Sequence, residues 1–88
     1  MINDIDQIKL DDRIINLLED RMHVSEKIGS HKKDNNITIL QTKRWDDMLK
    51  NRLRLGSRKG LSEEFIIKLF RSIHQESINH QTSVMNEE

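Results

Sequence analysis

Apolar side chains along the first third of the chain fall at helical spacing. Ile8, Ile14, Leu17, Leu18, Val24 and Ile28 recur at steps of three and four residues and their sums, the period of one helix face. The pattern predicts a first helix from about Asn3 to Asp34, stopped by Asp34-Asn35-Asn36. Gly29 lies inside it and costs about 1 kcal/mol relative to alanine without having to break it. Thr38 with Gln41 reads as a capping box opening a second helix, which carries Leu40, Met48, Leu49 and Leu53 and ends near Gly56, with 56–60 (GSRKG) as a turn. Ser62 caps a third helix whose first turn holds Glu63 and Glu64, favourable at a helix N-terminus. Its apolar face is Ile66, Leu69, Phe70, Ile73 and Ile78, and the polar tail from about Thr82 is expected to fray. No strand-like alternation interrupts this, and proline is absent. The expected fold is all-α, one domain over residues 1–88.

Polar residues intrude into these stripes. In 21–33 (RMHVSEKIGSHKK), Arg21 and Lys32 are eleven residues apart and so only about 20° out of line on a helix. Ile14 and Ile28 lie on the same line, and no acid occupies positions 14, 17, 18, 25 or 28. Like charges without a counter-ion are costly to bury, although long basic side chains can snorkel to solvent. In the third helix Ser77 and Gln81 continue the stripe of Ile66, Phe70 and Ile73; in the second, Arg44 sits four residues from both Leu40 and Met48. Turned inward together, Arg21, Lys32, Arg44, Ser77 and Gln81 form a donor-rich set with no nucleophile–base pair. Such a set suits a small dianion. Two arginines grip two carboxylates as forks, and a lysine and an amide aim at a further oxygen.

Composition narrows this picture. The 88 residues are 34% hydrophobic and 3% aromatic, a size and content at which small folds need help from disulfides, metals or a partner chain. Cysteine is absent, which removes disulfides and thiolate metal sites. A first helix of ~45 Å is too long for a compact monomer, so a second copy of the chain is the expected source of cover. Fifteen basic and fifteen acidic residues balance, against a general polyanion binder. No membrane span or signal peptide is visible, and a cytoplasmic protein is expected.

At these positions the sequence resembles the all-helical chorismate mutase family. The matching residues are Leu10-Asp11, Leu17-Leu18, Arg21, Ile28-Gly29, Lys32, Arg44, Leu61-Ser62, Ile73, Glu76-Ser77 and Gln81. The stretches LQTKRW and IHQESI look most like the version joined to a DAHP synthase in some bacteria. The resemblance implies an intertwined homodimer of three-helix chains, each active site closed by both, that converts chorismate to prephenate without a cofactor. It also implies that Arg21 and Arg44 hold substrate carboxylates, that Lys32 and Gln81 hydrogen-bond the ether oxygen of the breaking bond, and that Ser77 assists with a carboxylate. Two positions depart from the family pattern. Asp4 stands where an arginine usually reaches the partner's site, leaving Lys9 or Arg13 to substitute. Trp45 stands where a glutamate usually binds the substrate hydroxyl, leaving Gln41 or a backbone group.

Other readings carry less. Among His23, His31, His74 and His80 none pair three or four apart, so no metal site is expected. His74 is expected at the edge of the site. The basic run KNRLRLGSRKG (50–60) lacks interleaved aromatics and reads as a solvated helix end or a face for a fused or associated domain, DAHP synthase by the resemblance, rather than a nucleic-acid site. GSRKG is not a P-loop. The alternatives to a mutase are a domain that senses chorismate or prephenate for a fused enzyme, and an isochorismate pyruvate lyase of the same fold.

Overall fold

The computed structural model describes residues 4–39 and 41–87. Three helices follow one another: α1 (Asp4–Asp34), α2 (Thr42–Arg58) and α3 (Glu63–Met85). The expected start of the first helix at Asn3 and the apolar position Leu40 lie outside the described residues. Among the described residues no helix is long and apolar enough to cross a membrane.

Both helix-ending turns are built the same way. At the end of α1, Asn36 adopts φ 55°, Ile37 N–H donates to the Lys32 carbonyl at 2.8 Å and Asn36 N–H to that of Lys33 at 3.3 Å. This is a Schellman turn with asparagine in the left-handed position. At the end of α2, Gly60 takes that position with φ 82°, while Leu61 N–H donates to the Gly56 carbonyl at 2.9 Å and Gly60 N–H to that of Ser57 at 3.2 Å. The glycine that stops α2 is therefore Gly60, and the helix runs two residues beyond the expected Gly56. Gly56 is helical and serves packing instead. A Cβ there would lie 2.7 Å from Ile66 Cδ1.

The start of α2 also differs from expectation. Residues 37–39 are not helical, the N-cap is Gln41, and no side chain caps the helix. The Thr38–Gln41 box does not form, because the Schellman turn and a hydrogen bond from Lys32 Nζ to the Ile39 carbonyl (3.1 Å) hold this segment against the end of α1. Ser62 does cap α3, its Oγ accepting from Phe65 N–H at 3.3 Å. α3 continues to Met85, so the tail expected to fray from Thr82 is helical that far.

α3 packs against both other helices, while the backbones of α1 and α2 stay apart. The molecule measures 52 × 26 × 14 Å, little more than one helix thick. Among the described residues the buried apolar side chains are Met22 and Ile66, and Ile5, Ile8, Leu10, Ile14, Ile15 and Leu17, on the first half of α1, are each more than half exposed.

Candidate active site

The second half of α1 meets the second half of α3 closely because Gly29 has no side chain. A Cβ at Gly29 would stand 2.9 Å from Gln81 Cα and 3.0 Å from its carbonyl oxygen. Beside this contact α1, α3, the start of α2 and the 37–39 segment enclose a groove of about 640 Å³, within the size range of small-ligand sites. Arg21, Lys32, Gln41, Arg44, Ser77 and Gln81 all line it, with Ser25, Val24, Ile28, Ile37, Ile39, Trp45, Met48 and His74. Every residue expected at the site reaches this one groove. Ser77 and Gln81, 7% and 8% exposed, carry the α3 stripe on as buried polar groups, so the stripe does not end where its apolar residues do.

A directed chain of hydrogen bonds sets the orientation of Gln81. Ser25 Oγ donates to the Arg21 carbonyl at 3.1 Å, which makes Ser77 Oγ the donor in its bond to Ser25 Oγ. Gln81 Nε2 then donates to Ser77 Oγ at 3.4 Å, and its Oε1 is left to accept from Lys32 Nζ at 3.1 Å. Buried polar groups want partners, and this chain gives each of its members one. Ser25 escaped the sequence reading. Its only signal was a small polar residue on the stripe, four residues after Arg21 and seven before Lys32.

The electrostatics are those of a site short of negative charge. Burial and then the nearby Arg52 lower the pKa of Arg21. Burial and then Arg44 lower that of Lys32. The His74 imidazole is pushed down by burial, then by Arg21, then by Lys32. Among the described residues the carboxylates within 4 Å of a basic side chain are Glu64 beside Lys68, and Glu26 and Glu76 beside His80, so none pairs with Arg21, Lys32 or Arg44. Arg21 and Lys32 are half-buried and Arg44 is exposed at the rim. Lys9 and Arg13 do not line the groove of their own chain. Trp45 and His74 close one side as a stacked pair, their ring centroids 4.0 Å apart and planes 11° apart. In the basic run, Arg52 lies 5.9 Å over the Phe70 ring and Arg54 donates to Asn51 at 3.1 Å, as expected of a largely solvated helix face.

Three comparisons bear on this groove. Residues 2–82 match the model of the family described as chorismate mutase type II. The chain is also similar to a bifunctional chorismate mutase/prephenate dehydratase of Buchnera aphidicola subsp. Acyrthosiphon pisum (strain APS), 33% identical over 76 residues. That match covers 86% of the chain, which spans about a fifth (20%) of that relative's length. No solved structure gives a significant match.

Proposed function

The chain belongs to the chorismate mutase type II family, and we propose that it converts chorismate to prephenate in this groove. One observation carries the reading. Arg21, Lys32 and Arg44 line a single groove in which, among the described residues, no carboxylate meets them. A doubly negative substrate supplies the missing partners. Arg21 and Arg44 hold its carboxylates, with Ser77 assisting once its hydroxyl turns from Ser25. Lys32 and Gln81 face the ether oxygen.

The reaction is an intramolecular pericyclic rearrangement, so no nucleophile or proton transfer is needed. Two effects lower its barrier. The cationic clamp selects the compact conformer in which the reacting carbons approach. Lys32 and the Gln81 amide then stabilise the negative charge that grows on the ether oxygen as its bond stretches, an interaction stronger in the transition state than in the bound substrate. Gln81 presents its carbonyl to Lys32 and its amide N–H to Ser77. Catalysis requires that N–H to swing to the ether oxygen.

A homodimer is part of the proposal. The exposed apolar half of α1 is what a second copy would cover, and pairing two such helices would bring Lys9 or Arg13 toward the partner's groove in place of the family's usual arginine. We place the protein in the cytoplasm, beside or joined to another enzyme of aromatic biosynthesis. LQTKRW and IHQESI favour DAHP synthase as that neighbour.

The test is disappearance of chorismate with appearance of prephenate in the presence of purified protein. Saturable turnover is expected, with Lys32→Ala lowering kcat by at least ~10²-fold, as for loss of one oxyanion-hole donor, while circular dichroism keeps its helical signal. Pyruvate release from isochorismate in place of prephenate formation would favour a lyase. Binding of chorismate without turnover would favour a sensor.

A further inference from the structure

His74 lies on α3 three residues before Ser77 and seven before Gln81, on the helix face that lines the groove. Its ring is held flat against the Trp45 indole. Neither of its nitrogens has a hydrogen-bond partner among the described residues, and neither is sealed from the groove. A half-buried imidazole with a fixed plane and unused polar edges is a preorganised hydrogen-bonding group. Burial, Arg21 and Lys32 all disfavour its protonation, so at neutral pH it offers one N–H donor and one acceptor lone pair rather than a charge.

Chorismate carries two carboxylates, an ether oxygen and one ring hydroxyl. The cations of the groove suit the carboxylates, and Lys32 with Gln81 suits the ether oxygen. The hydroxyl is the neutral group left over, and His74 is a neutral group of the groove whose ring plane is fixed and whose nitrogens have no partner among the described residues. We propose that His74, held in place by its stack on Trp45, recognises the substrate hydroxyl through one hydrogen bond and is a specificity-determining residue of this site. The inference rests on reading the groove as a chorismate site. Gln41 also lines the groove, but its side chain is exposed and forms no cap bond, so nothing fixes its direction.

The test compares kcat/KM for chorismate and for its analogue lacking the ring hydroxyl, in the parent and in His74→Phe, His74→Gln and Gln41→Ala. Phenylalanine keeps the stack and removes the hydrogen bond; glutamine keeps hydrogen-bonding capacity and controls for folding. The parent should prefer chorismate by about tenfold, the upper range for one neutral hydrogen bond. That preference should fall several-fold in His74→Phe, return in part in His74→Gln and persist in Gln41→Ala. A parent without preference, a His74→Phe variant that keeps it, or its loss in Gln41→Ala would each overturn the assignment. Equal losses for both compounds in His74→Phe, as expected if His74 acted as a fourth cation, would leave the preference intact and so overturn it too. If the parent proved inactive, the ratio of Kd values for the same two compounds would read the same contact. The mutase reading could then fall while the role of His74 stood.

Discussion

Gln81 shows how much depends on the direction of a single amide. The relay from Gln81 through Ser77 and Ser25 to the Arg21 carbonyl assigns its Nε2 and Oε1 without ambiguity. A carboxylate in its place would sit against the Lys32 ammonium, which would hold it ionised below the usual carboxylate range. It would then oppose the negative charge developing on the ether oxygen. Gln81→Glu should therefore lower kcat/KM at neutral pH by at least tenfold. Activity relative to the parent should climb as pH falls and the carboxyl becomes a donor. A parent-to-variant ratio that stays flat with pH would remove Gln81 from the chemistry. At this scale the sequence revealed the cations and Gln81, because charged or amide groups in an apolar stripe are conspicuous. Ser25 was hidden, because serine is unremarkable on a helix until its partner on α3 is known. The side of the groove where His74 meets Trp45 could be anticipated only as an edge, since stacking depends on the relative placement of two helices.

Between elements, the two helical glycines have different neighbours and should respond differently to a methyl group. At Gly29 the added Cβ meets the backbone of α3 at Gln81; at Gly56 it meets Cγ1 and Cδ1 of the Ile66 side chain, which does not line the groove. Gly29→Ala gains about 1 kcal/mol in helix propensity, offset by about 1–3 kcal/mol of overpacking, and it forces α1 and α3 apart where Gln81 and Lys32 must stay aligned. Its kcat/KM should fall more than tenfold even if thermal stability changes little. Gly56→Ala, where the overlap is with a side chain outside the groove, should keep most activity. Equal activity loss in both variants would mean that the α1–α3 spacing is not what aligns the site. The three helices, the Ser62 cap and the stop after Asp34 were readable from period and capping residues. The start of α2 was not. Thr38–Gln41 has the sequence of a capping box, but the tether between Lys32 and the Ile39 carbonyl joins residues seven apart through a turn that sequence spacing does not reveal. Gly56 was mistaken for the stop because packing glycines and turn glycines look alike in sequence.

For the whole molecule, a flat layer of helices in which, among the described residues, Met22 and Ile66 are the buried apolar side chains, beside a long exposed apolar stripe, is what makes a second copy part of the proposal. The exposed apolar stripe was legible in the length and period of the first helix; what would cover it was not, since one chain carries no record of its symmetry. If two copies complete each site, specific activity should fall on dilution along the same curve as dimer dissociation, and Ile14→Asp should shift that curve to higher concentration. Constant specific activity across a range in which sedimentation shows the chain becoming monomeric would exclude shared sites.

The central claim, that Arg21, Lys32 and Arg44 lack acidic mates because a doubly negative guest supplies them, is tested most directly by calorimetric titration of the protein with prephenate, the dianionic product. Saturable binding that weakens with added salt is predicted, with Arg21→Ala and Arg44→Ala each weakening it at least tenfold. Absence of binding, or affinity unchanged in both variants, would contradict it.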